Sequence, residues 1–130
     1  MNIFLEIYFV KIYKLFMTLT QAYLLLIVSI LLEITATGTL KATEGFTKWI
    51  PSLISVAAIS GCMFFMSHVM KILPVGITYA TWSGVGIVAL TLIGIIKYKQ
   101  VPNLATIFGL TLIVIGVVIV NVMHDYKGHN

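Results

Sequence analysis

Ala22–Leu40 reads AYLLLIVSILLEITATGTL, a run that is uncharged throughout except for Glu33. As a helix rising about 1.5 Å per residue, it covers the hydrocarbon thickness of a bilayer, roughly 30 Å. Three further runs of the same kind follow: Ile50–Met70, Ile72–Ile96 and Leu104–Met123, none with a residue charged at neutral pH. The fold class that follows is an all-α integral membrane protein of four transmembrane helices within residues 17–123, multi-pass in the cell membrane. Pro51, Pro74 and Pro102 stand at the starts of the second, third and fourth runs, where a missing N–H and a fixed φ suit a first helical turn. Gly45 follows the first run where a helix C-cap is expected. The connection holding Lys71 is so short that the second and third helices form a tight antiparallel hairpin.

Composition agrees. The chain is 60% hydrophobic and 9% charged with a mean hydropathy of +1.09, too little polar surface for a water-soluble domain. The net charge of +4 comes from lysines scattered between apolar runs, with no arginine, so no basic stripe for nucleic acid forms. Cys62 is the single cysteine, which excludes an internal disulfide and a paired-cysteine metal or redox site. No zinc or catalytic-triad spacing is present, so no enzyme chemistry, no metal and no cofactor beyond a coupling proton is expected. Met1–Phe16 is apolar but carries Glu6, Lys11 and Lys14. Its positive charges come after the apolar core, the reverse of a signal peptide. It reads as an interfacial helix or a non-native start, with Met17 as the effective beginning; residues 124–130 read as a polar tail.

Glu33 carries the chemistry. It lies eleven residues after Ala22, so about 16 Å in and near the midplane. A carboxylate there costs roughly 2.5–3.5 kcal/mol on insertion scales, and such residues mark ion or proton pathways. Leu26, Ser29, Ile30, Ala36, Thr37 and Leu40 share its helical face, small or mildly polar next to the acid, with room for a ligand. The structural alternative is a protonated carboxyl bonded to a neighbouring helix. Trp82 lies about 15 Å into the third run by the same arithmetic, whereas tryptophan usually favours the headgroup belt, the place for Trp49, Tyr98 and Tyr126. Tyr79 precedes it by three residues. A carboxylate and two aromatic faces at one depth can hold a lipophilic cation by charge pairing and cation–π contact; ordinary core packing is the competing account of the aromatics.

Gly84 and Gly86 allow a bend beside Trp82, a hinge for alternating exposure, or else close helix packing. Gly109 and Gly116, seven apart with Leu112 and Ile113 between them, give the fourth helix a face for tight helix–helix contact. Met63, Met66 and Met70 serve as filler, although flexible methionines, Met63 among them, also suit a permissive site. His68 reads as interfacial, and Lys41 with Glu44 as a solvated pair.

The motifs Leu32-Glu33, Leu40-Lys41, Glu44-Gly45-Phe46 with Pro51, the stretch Pro74-Val75-Gly76-Ile77-Thr78-Tyr79-Ala80-Thr81-Trp82-Ser83-Gly84-Val85-Gly86, and Gly109…Gly116 with Asn121 resemble the small multidrug resistance family. Within it, the proton-coupled exporters of quaternary ammonium and other lipophilic cations match best, from about Tyr23 to Asn121. The resemblance implies an antiparallel homodimer in which two Glu33 carboxylates bind either protons or one cation. It implies a site lined by Tyr79, Trp82, Leu26, Ser29, Ile30, Ala36 and Thr37, and a fourth helix that holds the dimer, with a heteromer of paired homologues as an alternative. The guanidinium-exporting branch typically has glycine and tryptophan where this chain has Ile30 and Ala36, and is the runner-up. Ile59 and Met63 stand where drug exporters often have aromatics, a departure that bears on substrate range. From a different class, a non-transporting accessory membrane subunit stays open. Four lysines fall on each side of the expected bundle (Lys11, Lys14, Lys71 and Lys127 against Lys41, Lys48, Lys97 and Lys99). With no bias to orient it, such a chain inserts both ways. A start at Met17 leaves two against four, and a mixed population is still expected.

Overall fold

A computed structural model describes residues 2–16 and 19–124. Lys127, Tyr126, His129 and the effective start at Met17 lie outside the described residues. Helix α1 spans Ile3–Phe16, α2 Leu19–Leu40, α3 Trp49–Val69, α4 Val75–Tyr98 and α5 Leu104–Met123, with a 3-10 turn over Lys41–Thr43. Among the described residues there is no strand. Helices α2 to α5 are each long and apolar enough to cross a membrane, which bears out the four-span architecture.

The ends differ from those read off the sequence. α2 starts at Leu19, ahead of Ala22; α4 starts at Val75 and runs to Tyr98, where Ile72 and Ile96 had been expected. Apolar composition does not register these ends, because Ile72 and Leu73 are as apolar as the helix they precede. Backbone bonding does: the N–H groups of Ile72 and Leu73 both turn back to the Val69 carbonyl, at 3.0 and 2.9 Å. Pro74 then enters α4 with ψ of 143°. α5 is capped by Asn103, whose side chain accepts from the Thr106 N–H at 2.8 Å, satisfying a donor the helix leaves open.

Between α2 and α3, Glu44, Gly45 and Phe46 all take the left-handed conformation, with φ of 49°, 69° and 63°. Gly45 occupies that region at little cost, and its two neighbours are carried with it. The lysine pairing expected here is different in the structure. Glu44 faces Lys48 at 3.9 Å, with both side chains well exposed, while Lys41 sits 4.2 Å above the Tyr98 ring. Glu44 is itself the first left-handed residue, its side chain pairs with Lys48 on the far side of the turn, and a cation–π contact is open to Lys41 instead.

α2 is the central helix. It packs chiefly on α3 and also on α4, and α4 carries α5. The core is the cluster Ala22, Leu26, Ile30, Cys62, Met66, Val69 and Leu73. Ser55 crosses from α3 to the Ala36 carbonyl at 2.9 Å, meeting an internal hydrogen-bond need where no water competes. The described side chains of α1, residues 3–12, are exposed. α5 has no buried residue at all. Its side toward α4 presents Val117 and Ile113 to Gly84, while a methyl added at Gly109 or Gly116 would meet nothing within 4 Å, and Leu112 is exposed.

Candidate functional site

The Glu33 side chain points from α2 toward α4 and is 9% exposed. Its two oxygens have different surroundings. Oε1 accepts a hydrogen bond from Thr37 Oγ1, one turn on, at 2.8 Å. Oε2 is buried and has no partner in the protein. The space for it comes from Gly86: a methyl group there would stand 3.0 Å from Oε2, so a side chain on α4 would displace the carboxyl. Gly84 makes room on the other side of α4, where an added methyl would overlap Val117. Both glycines read as hinge candidates therefore have packing partners.

Trp82 is one turn from Gly86 on the same face of α4 and packs against the core cluster. Its Nε1 is buried without an acceptor. Tyr79 lies edge-on to Trp82, ring centroids 5.1 Å apart at 63°, and is 56% exposed. Glu33 and Thr37 thus face Gly86 on α4, with Trp82 one turn and Tyr79 about two turns nearer the start of that helix. Leu26, Ser29, Ile30 and Ala36 are buried on α2. Ser29 Oγ donates to the Cys62 carbonyl at 3.2 Å and lies 3.2 Å from Cys62 Sγ, so this part of the Glu33 face is a wall built with α3. The face read from the sequence as one lining serves two neighbouring helices, because a stripe of i±3 and i±4 positions is wide enough for both. Met63, 45% exposed on α3, points away from the Cys62 side of that helix.

A polar chain that spacing alone does not reveal ties three spans together. Tyr23 Oη donates to Asn121 Oδ1 at 2.8 Å. Asn121 Nδ2 donates to Thr81 Oγ1 at 2.7 Å and to the Val117 carbonyl at 2.8 Å. The signal for it was an amide in the otherwise apolar α5. Among the described residues no group of three metal-ligating side chains forms. The site offers a carboxyl oxygen with no protein partner, an indole N–H and two aromatic faces. That set can hold a proton or a desolvated organic cation.

A family model described as Small Multidrug Resistance protein matches residues 21–113. The chain is 48% identical over 103 residues to the quaternary ammonium compound-resistance protein QacG of Staphylococcus sp. strain ST94, covering 79% of this chain and 96% of the relative. It is 45% identical over 100 residues to QacC of Staphylococcus sp. strain ST827, covering 77% and 94%. To QacE of Escherichia coli it is 38% identical over 109 residues, covering 84% and 99%.

Proposed function

The chain belongs to the small multidrug resistance family of multi-pass membrane proteins of drug efflux, and from that premise we propose that it exchanges protons for quaternary ammonium and other lipophilic cations at Glu33. The observation that carries this reading is the state of the carboxyl. It is set in an apolar span, one oxygen is held by Thr37 and the other has no protein partner, and Gly86 keeps a gap beside it. A proton or a cation meets that oxygen's need, and one excludes the other because a single charge serves both. Protons arriving from outside release the cation; a cation arriving from inside releases protons. The relatives' names as quaternary ammonium compound-resistance proteins support this class of substrate. Binding of tetraphenylphosphonium to purified protein across pH tests it, together with proton-driven flux in liposomes. Affinity that does not change with pH would defeat the exchange mechanism.

Trp82 supplies an aromatic face to the cation. Trp82→Ala is expected to weaken tetraphenylphosphonium binding by about 2 kcal/mol, roughly 30-fold, with a smaller loss for guanidinium. Equal losses, measured by titration calorimetry, would assign Trp82 to packing alone.

Four helices of this length do not enclose a midplane cavity, and the working unit is an antiparallel homodimer, with two copies inserted in opposite directions. The open Gly109–Gly116 face of α5 supports this assembly. Within one chain, a methyl at either position meets nothing within 4 Å; across a helix–helix seam, side chains here prevent close approach. Gly109→Leu with Gly116→Leu is therefore expected to leave insertion intact and to convert the dimer to monomer in crosslinking. A stable, active dimer carrying both changes removes α5 from the interface.

A further inference from the structure

Thr78 is completely buried, and its Oγ1 has no hydrogen-bond partner. Hydroxyls on membrane helices ordinarily bond back to a carbonyl one turn earlier, and in this chain Thr35, Ser60, Thr81, Ser83, Thr91 and Thr111 all do so. Thr78 has the same opportunity at Pro74, whose carbonyl receives its backbone N–H at 3.0 Å, yet its side chain does not take it. A buried hydroxyl left without a partner costs about 1–3 kcal/mol, so its partner lies outside the chain's own atoms.

The position of Thr78 indicates what that partner is. Thr78, Trp82 and Gly86 are spaced four residues apart, on one stripe of α4, and Gly86 abuts the Glu33 carboxyl. Three buried polar atoms without partners therefore follow one another along this stripe: Thr78 Oγ1, Trp82 Nε1 and Glu33 Oε2. Four helical residues rise about 6 Å. A single water bridging two groups spans about 5.5 Å, two hydrogen bonds of about 2.8 Å each. Thr78 is three residues inside the start of α4, beside the α3–α4 turn, so the stripe leads from the membrane edge to the midplane carboxyl.

Building on the exchange reading above, we infer that Thr78 is a proton-relay residue, its hydroxyl linking Glu33 to the α3–α4 edge of the bundle through waters held at the Trp82 N–H. A hydroxyl both accepts and donates, so it takes a proton from one water and passes its own to the next. The indole N–H only donates; it fixes the orientation of a water without joining the transfer. The proton ends on Glu33 Oε2, and no bond other than O–H bonds forms or breaks. Thr78 itself is too enclosed for an organic cation, so its effect falls on proton delivery.

The test separates rate from affinity. In proteoliposomes under a fixed proton gradient, Thr78→Val is expected to slow proton-driven tetraphenylphosphonium exchange about tenfold, the rate equivalent of one lost hydrogen bond in the transfer step. Equilibrium tetraphenylphosphonium affinity should stay at the wild-type value. Thr78→Ser, which restores the hydroxyl, should recover the rate, and Thr91→Val on the same helix should leave it unchanged. If Thr78→Val does not purify as folded protein, Thr78→Ala repeats the measurement with a smaller side chain that does not press a methyl against the site of the hydroxyl. The inference is overturned by a wild-type rate in the hydroxyl-free variant, by a Thr78→Ser rate as low as that variant's, or by affinity falling in step with rate. A wild type that shows no proton-driven exchange is a separate result, seen before any variant is compared. It removes the exchange reading and this inference with it.

Discussion

Glu33→Gln is expected to abolish proton-coupled exchange and to weaken binding of a monovalent organic cation by about three orders of magnitude. The amide has nearly the shape of the acid. Thr37 can still donate to the remaining carbonyl oxygen, as it does to Oε1 at 2.8 Å, and the gap at Gly86 still accommodates the side-chain end. Packing is therefore preserved and only charge is lost. Opposite unit charges about 4 Å apart, at an effective dielectric near 20, attract by about 4 kcal/mol, which is roughly a thousandfold in affinity. Coupling disappears with the charge, because an amide does not exchange a proton in the relevant range. Glu44→Gln is the matched control: its carboxyl is well exposed and faces Lys48 at 3.9 Å, a pairing of little energetic weight. Tetraphenylphosphonium titration and proton-driven uptake check both variants. Proton-coupled uptake by Glu33→Gln would end the proposed mechanism.

The second large effect is expected at Gly84. Adding one methyl there overlaps Val117 and comes within 3.7 Å of Ile113. Val117 is β-branched and has few rotamers to retreat into, so α4 and α5 must separate. Overpacking of this kind costs about 1–3 kcal/mol, and Gly84→Ala is expected to lower the thermal midpoint in detergent accordingly. Val117→Ala in the same chain removes the colliding methyls and should restore both midpoint and transport. The rescue decides between the two readings of this glycine. If Gly84 is instead a hinge, the double variant regains stability but remains slow.

Much of the fold was legible because a bilayer imposes length and apolarity on each span, and a single carboxyl in such a span stands out. The depth arithmetic put Glu33 and Trp82 level because it counted from Ala22 and Ile72; with the helices starting at Leu19 and Val75, the residue level with the Glu33 carboxyl is Gly86, and Trp82 lies one turn, about 6 Å, nearer the start of α4. Partnership between neighbours was less legible. Ser29 and Ala36 share a stripe with Glu33, but only contact with α3 shows that Ser29 bonds to Cys62 and that the Ala36 carbonyl receives Ser55. Lys41 was paired with Glu44 by helical spacing, but Glu44 opens the run of left-handed residues and pairs across it with Lys48. Thr78 carried no sequence signal at all: threonines are common in these helices, and what distinguishes it is a hydroxyl orientation that only coordinates reveal.

The packing order also bears on how the chain is made. α2 leans first on α3, α4 packs back on α2, and α5 rests mainly on α4. α2 with α3 and α4 with α5 are neighbours in the chain, whereas α4 reaches back past α3 to α2, and the bundle can assemble in the order it leaves the ribosome. One bond breaks the pattern. Tyr23, near the start of α2, reaches Asn121, near the end of α5, across 98 residues. It can form only after the last span has arrived, so it closes the fold by joining the first-made span to the last.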